Sequence, residues 1–286
     1  MKKRTFLATL LVLSFTLTAC GAANNGANET ANSGAGASAS PAQEVKKIIV
    51  GTGTQFPNVC FIDEDGKLTG FDVELVREID KRLPEYEFEF QTQEFSSLLL
   101  SLETKKIDFV AHQMEKNPER EAKFLFNKEP YSIFLSKIAV YRDNTTIHSI
   151  DDLTGKKVFT SPTSNQAFFL EQYNKDHNNP YEIVYSSGAA NDRIALLKSG
   201  RVDATLATDF SLPFYPDTDG KPAMKTVGDP LIQSDVLFVL RKDSQELADK
   251  LDAAIKEVKA DGTLSKLSVE WLGEDYTKPL DEVVKK

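Results

Sequence analysis

Arg120 closes the stretch Ile107 to Arg120, IDFVAHQMEKNPER, and its guanidinium can hold a carboxylate through two parallel hydrogen bonds. His112 and Gln113 stand just before it, one with ring nitrogens and one with a neutral amide that both donates and accepts. Thr208 and Asp209 stand in a second stretch, LKSGRVDATLATD, which supplies a hydroxyl and a carboxylate. This is a set for binding a small charged molecule. The same arginine also fits a solvated surface, because Glu115, Lys116, Glu119, Glu121 and Lys123 surround it with alternating charge.

The elements around Arg120 favour a ligand edge. Ile107, Phe109, Val110 and Ala111 form a short apolar run of the kind that makes a strand covered on both faces. Asn117 is a preferred N-cap and Pro118 suits a first helical position, so a helix is expected to start there with Arg120 in its first turn. In open α/β sheets, ligands gather beyond the carboxyl ends of strands. Leu102 to Ala111 (LETKKIDFVA) and Leu197 to Leu206 (LKSGRVDATL) then read alike: the tail of a helix, a basic turn, Asp108 or Asp203, and an apolar strand. In this register Gln113 and Thr208 each fall five residues past the Asp. Two related α/β units that face each other across a cleft would explain the likeness. Chance similarity between two common helix-to-strand joints is the plainer alternative.

The remaining pattern before Ile107 is strand, hairpin, helix, strand, helix. A strand is expected at Lys47 to Gly51, a turn at Asp63 to Gly66, a helix from Phe71 to Leu83, a strand at Glu87 to Gln91 and a helix from Ser96 to Thr104. This is a doubly wound order, and its ligand edge would gather Phe56, Phe95 and Gln113.

Composition excludes several classes. With 41% hydrophobic and 27% charged residues among 286, the chain reads as a soluble globular protein with room for two lobes. Lys2, Lys3 and Arg4 precede an apolar run from Phe6 to Leu17, too short to span a bilayer and suited to a secretory signal over residues 1–19. Leu17, Thr18, Ala19 and Cys20 resemble the lipobox of bacterial lipoproteins, which implies a lipidated Cys20. Residues 20–45 then form a tether of Gly, Ala, Asn, Ser and Thr with no apolar face to bury. Losing the first nineteen residues removes three positive charges and takes the net charge from −9 to −12 (−9 minus 3). Nucleic acid is therefore not an expected partner. Cys60 would be the one remaining thiol, read as a buried small hydrophobe, and the spacing of His112, His148 and His177 suggests no metal site.

Five segments carry a resemblance: GFDVELVREI, SLLLSLETKKIDF, NPER, DDLTGKKV and ADGTLSKLSVEWLG. They are similar to those of the bacterial extracellular solute-binding proteins of amino-acid ABC transporters, family 3, over nearly all of the chain after Lys46. The resemblance implies an α/β, two-lobed periplasmic-binding-protein-like fold of type II, with two doubly wound lobes joined by two crossover strands at Lys137 to Tyr141 and Asp235 to Arg241. Lobe 1 would comprise 46–139 and 236–286, lobe 2 140–235, with helices between Leu247 and Leu272 returning to lobe 1. The family's stacking aromatics fall on Phe56 and Phe95, its polar strand end on His112 and Gln113, and its carboxylate clamp on Arg120. A helix start at Thr163, Ser164 and Asn165 would offer backbone N–H groups to the same carboxylate. The family's acid for the α-amino group falls on Thr208, whereas this chain has its acid at Asp209; the family's Gly before Ser164 is Thr163, which would narrow the pocket.

The resemblance also implies function. It describes a lipid-anchored receptor, monomeric and without cofactors, that captures an amino acid outside the cell and presents it to a membrane permease. Receptors for basic amino acids in this family carry an acid where this chain has Gly53, so a basic ligand is disfavoured. LPEYEFEFQTQEF and Gln113 resemble the cystine-type branch, and Phe56 and Phe95 suit a sulfur-containing side chain. L-cystine or a related sulfur amino acid is the expected ligand, ahead of a polar one such as glutamine. An enzyme on the same scaffold, a dehydratase or a glycan-cleaving enzyme, is the competing class, with Glu94, Glu115 and Asp209 as the nearest acids.

Overall fold

The computed structural model describes residues 45–186 and 190–279, so the expected signal segment, Cys20 and the tether up to residue 44 lie outside the described residues. The first strand, β1 (Lys46–Thr52), is buried at Ile48 and from Val50 onward. A small antiparallel sheet follows, made of β2 (Gln55–Phe56), β3 (Cys60–Ile62) and β4 (Leu68–Thr69). Its turn is held by Asp63, whose Oδ1 accepts the amides of Asp65 and Lys67.

Helix α1 (Phe71–Asp80) starts at Gly70, where φ is 115° and a Cβ would come within 2.6 Å of the Val59 carbonyl, so no other residue fits without a shift. It buries Phe71, Val73, Leu75, Val76 and Ile79. The helix ends three residues before the expected Leu83 (83 minus 80) because Pro84 disfavours helical backbone at Leu83. The Asp80 carboxylate instead accepts the Phe88 amide at 3.1 Å and fixes the start of β5 (Tyr86–Thr92).

Next come α2 (Phe95–Glu103), β6 (Phe109–Glu115), α3 (Pro118–Lys123), β7 (Leu125–Phe126) and β8 (Ser132–Tyr141). The second half of the chain adds β9 (Lys157–Thr160), α4 (Asn165–Asp176), β10 (Glu182–Tyr185), α5 (Ala190–Lys198) and β11 (Ala204–Ala207). β12 (Met224–Leu240) then runs back, and α6 (Gln245–Ala260) and α7 (Thr263–Leu272) close the chain.

The main sheet runs β10-β9-β11-β8-β12-β6-β1-β5. β5, β1 and β6 are parallel, as are β10, β9 and β11, and the two triplets flank the antiparallel pair β8 and β12. Each triplet has the doubly wound order second-first-third, the arrangement expected from the sequence. The crossover strands are longer than expected, since β8 and β12 pair from Ser132 with Val236 to Tyr141 with Met224.

Both sides of each half are covered. One face of the first half packs α1, α6 and α7 around Phe109, Tyr131 and Phe238, and the other packs α2 around Val110, Met114 and Leu237. In the second half, Val158, Leu170 and Leu206 form one cluster, and Phe159, Ile194 and Tyr215 form another. Burial on both faces accounts for the near-continuous apolar runs of β6 and β11. The carboxyl ends of those strands are left to face a cavity.

Candidate functional site

The geometry begins at β6, which continues to Glu115 rather than stopping at Ala111. It does so with a kink, for Gln113 has φ 48° and the β12 register shifts between Leu237 and Val239 opposite it. A left-handed residue that is not glycine costs roughly 1–2 kcal/mol. Asp72 offsets this cost by accepting the Gln113 amide at 2.6 Å and the Gln113 side-chain Nε2 at 2.7 Å, while Tyr131 donates its hydroxyl to the same carboxylate at 2.8 Å. Burial pushes the Asp72 carboxyl up to about 6, against the pull of these donors. Gln113 Oε1 is left buried and unpartnered.

His112, on the other side of the kink, lies between Phe95 and Phe56, with ring centroids 4.9 and 5.7 Å away. Burial pushes the imidazole down to about 4, so it is neutral at physiological pH and serves as part of an aromatic wall. Gly53 touches this wall: a Cβ there would approach His112 Nε2 to 2.7 Å. An acidic side chain at that position would displace the ring.

Arg120 sits as expected in the first turn of α3, where Asn117 Oδ1 accepts its amide at 2.9 Å and Pro118 follows the cap. It is 5% exposed, which rules out the solvated-surface alternative. Its Nη1 donates to the Glu115 carbonyl at 2.7 Å and its Nη2 to the Thr163 carbonyl at 2.8 Å. A guanidinium has five N–H donors, so about three remain for a ligand. The second acceptor belongs to the other half of the molecule, so the arginine also ties the two sides of the cavity together. Asn165 makes the same crossing, donating to Glu115 Oε1 at 3.1 Å and accepting from Asn117 at 3.3 Å. Ser234 also donates to Glu115 Oε1. Burial raises the Glu115 pKa, and Ser234, Asn165 and the Arg120 charge moderate that rise.

On the opposite wall, Ser164 caps α4 by accepting the Ala167 amide at 2.9 Å and donates to the Ser161 carbonyl at 2.8 Å. The side chain is thus committed to the cap. What the helix start offers the cavity is the amides of Asn165 and Gln166, which have no partner inside the helix. Thr163 does not narrow the cavity, contrary to expectation: it is exposed, has φ 62°, and contributes only its carbonyl to Arg120.

Thr208 lines the cavity and its Oγ1 is buried without a partner. Asp209 does not line it, and the expectation that it contacts a ligand is corrected here. Its carboxylate turns away to Lys137 Nζ at 2.9 Å and Thr226 Oγ1 at 2.5 Å, in solvent. The other expected residues, Phe56, Phe95, His112, Gln113, Arg120, Ser164, Asn165 and Thr208, all line one cavity.

Among the wall residues that sequence reasoning missed, Gln93 and Arg193 stand out for their orphaned polar atoms. Gln93 gives its Oε1 to Ser101 and leaves Nε2 buried and unpartnered; Arg193 likewise leaves its Nε buried and unpartnered. With Gln113 and Thr208, they supply four of the five orphaned buried polar atoms among the described residues; the fifth, Trp271 Nε1, lies elsewhere. Orphaned groups are rare in folded proteins, and their gathering in one cavity marks where a polar ligand would sit. Cys60 is buried and its thiol pushed up to about 12, so it takes no part. Among the described residues, no group of three His, Cys, Asp or Glu side chains is placed to hold a metal ion, and no helix is long and apolar enough to cross a membrane.

Comparison with known proteins fits this geometry. The description bacterial extracellular solute-binding proteins, family 3, matches residues 48–274. The chain is 50% identical over 279 residues to the L-cystine-binding protein TcyK of Bacillus subtilis (strain 168), covering 97% of this chain and 99% of the relative. It is 48% identical over 236 residues to the L-cystine-binding protein TcyJ of the same organism, covering 82% and 87%. Among solved structures, a putative L-cystine ABC transporter from Listeria monocytogenes is 52% identical with a TM-score of 0.77, covering 82% of this chain and 99% of that one.

Proposed function

The chain belongs to the bacterial extracellular solute-binding proteins, family 3, and from this premise we propose that it is the receptor of an amino-acid ABC importer, closing its two lobes on L-cystine or a related sulfur amino acid. The observation that carries this reading is the gathering of orphaned buried polar atoms beside Arg120 in one cavity. An α-amino acid matches them. Its carboxylate takes the free edge of Arg120 and the first amides of α4. Its ammonium group takes Thr208 Oγ1, Gln113 Oε1 and the Glu115 carboxylate, so Glu115 replaces the acid that Asp209 does not supply. The side chain lies against Phe56, His112 and Phe95, a neutral aromatic wall that sulfur favours. Relatives named for L-cystine support that ligand over glutamine.

The lobe boundaries proposed are 46–139 with 236–286 and 140–235, and the hinge is the pair β8 and β12. A lipid anchor at Cys20, a permease partner and a place on the outer face of the cell membrane complete the reading, supported by the lipobox-like LTAC. A binding role is favoured over an enzyme because Glu115, the buried acid of the cavity, spends Oε1 as an acceptor from Asn165 and Ser234, an arrangement that holds the two halves together and does not free a base.

Calorimetry and thermal shift on ligand-stripped protein with L-cystine, glutamine, arginine and glutamate test the proposal. A ligand at a hundred times its Kd adds about 2.7 kcal/mol of stability, expected for L-cystine. A response to arginine alone would sink the argument from Gly53 and His112. A response to none of the four would return the enzyme class to the front.

A further inference from the structure

The cavity holds a second guanidinium whose charge the proposed amino-acid head group leaves unanswered. Arg193 projects from α5, and its Cζ lies 5.3 Å from the centroid of Phe159 and 5.5 Å from that of Tyr215. Contacts with ring faces stabilise the cation but leave its N–H donors without an oxygen acceptor. Its Nε is buried without a hydrogen-bond partner, and no carboxylate of the described residues forms an ion pair with it. A half-buried cation packed within 5.5 Å of two ring centroids, with its Nε unpartnered, is pre-organised for a planar anion. A purely structural arginine would have its Nε satisfied within the chain.

The charged side chains lining the cavity are Arg120, Arg193, Glu115 and Glu94. Arg120 and Glu115 are adjacent, joined through the Glu115 carbonyl, and account for one carboxylate and one ammonium group. Arg193 and Glu94 remain. Glu94 is exposed at the rim, where its Oε1 accepts only a 3.3 Å bond from Gln55. Two cations and two acids are the complement of a ligand with two carboxylates and two ammonium groups.

We propose that Arg193 binds the second carboxylate of a two-headed amino acid, so that the site selects two α-amino acid heads joined through their side chains over a single-headed sulfur amino acid. This rests on the reading of the cavity as an amino-acid site. It makes Arg193 a specificity residue, with the Arg120 end common to both kinds of ligand.

The test is calorimetry of the wild-type chain, Arg193→Ala and Arg193→Lys with two probes, L-cystine and S-methyl-L-cysteine, after thermal unfolding has shown each variant to be folded. L-cystine affinity should fall at least thirtyfold in Arg193→Ala and partly recover in Arg193→Lys, which keeps the charge but loses the fork. S-methyl-L-cysteine affinity should stay within twofold in all three proteins. Equal losses for both probes, or none for either, would overturn the proposal. Wild-type binding of both probes with equal affinity would overturn it too, while leaving the amino-acid receptor standing. Binding of neither probe would defeat the receptor reading itself, and this inference with it.

Discussion

The two strands that face the cavity are built alike at their entries and differ at their carboxyl ends. Asp108 takes the Ile49 amide at 2.7 Å and returns its own amide to the Ile49 carbonyl; Asp203 does the same with Lys157 at 2.8 Å. Each aspartate thereby locks the entry of β6 or β11 to the neighbouring parallel strand. The likeness between LETKKIDFVA and LKSGRVDATL is therefore structural, and the chance alternative falls away. The carboxyl end of β6 is elaborated with the kinked Gln113, the buried Asp72 beneath it, Glu115 and, just beyond the strand, Arg120. The β11 end stops at Thr208 and sends its acid to the surface. The β6 end supplies charge and rigidity, and the β11 end supplies a neutral hydroxyl. Between these two strand ends, the charged contacts to an amino-acid head group stay with β6, while the second half adds its own cation from a helix, at Arg193.

Removing Arg120 should have the largest effect on this asymmetry. Truncating one member of a desolvated charge pair costs roughly 2–5 kcal/mol, with each 1.4 kcal/mol worth about tenfold in affinity. Arg120→Ala should therefore weaken L-cystine by more than about thirtyfold in calorimetry. It also severs the bond to the Thr163 carbonyl, so the closed form should be less populated in small-angle scattering even with ligand present. Unchanged affinity in a folded variant would refute the role of the β6 end as the charged side.

Asp72 comes next, since it reaches the ligand only through Gln113. Its folded pKa of about 6 lies above its ordinary value of 3.8, so the native state holds a proton that the unfolded chain releases. The sign follows: its contribution to stability is fully present below about pH 4 and is lost as pH rises through about 6. Asp72→Asn should remove that dependence, and the difference in stability between wild type and variant should change between pH 4 and 6 and be flat above 7. The Asn amide nitrogen would meet Gln113 Nε2, forcing the Gln113 amide to flip and turning its orphaned acceptor into a donor. Setting a donor against the ligand ammonium costs roughly 1–3 kcal/mol, so affinity should fall about tenfold. A variant with wild-type affinity would confine Asp72 to holding the kink.

These effects also mark where the sequence is legible. The Asn117-Pro118 cap and the apolar run from Ile107 determine where α3 starts and β6 lies, because capping and burial are local requirements. Phe56, Phe95 and Arg120 follow from those placements and from the family resemblance. The kink at Gln113 was not legible, because it depends on a carboxylate 41 positions away that no local pattern pairs with it. Arg193 was hidden for a similar reason: Phe159 and Tyr215, whose rings it packs against, lie far from it in sequence. For Asp209 the sequence leaves two readings, a one-residue shift that restores the acid or an amino group held differently, and the structure turns its carboxylate away from the cavity. At the end of a strand, where side chains alternate sides, one residue moves a group from the cavity to solvent.

The smallest effects test that last point directly. Thr208→Val keeps shape and removes the orphaned hydroxyl. A neutral hydrogen bond contributes roughly 0.5–1.5 kcal/mol, so L-cystine affinity should fall about two- to tenfold with stability unchanged or improved, since a buried unpartnered oxygen disappears. Asp209→Asn should leave affinity unaltered. It removes an exposed ion pair with Lys137, the kind of contact worth roughly 0–1 kcal/mol and weakened by salt. Its readout is a slight loss of thermal stability that vanishes at high ionic strength. If Asp209→Asn instead weakened L-cystine more than Thr208→Val, the carboxylate would have to swing into the cavity on binding, and the β11 end would be a charged side after all.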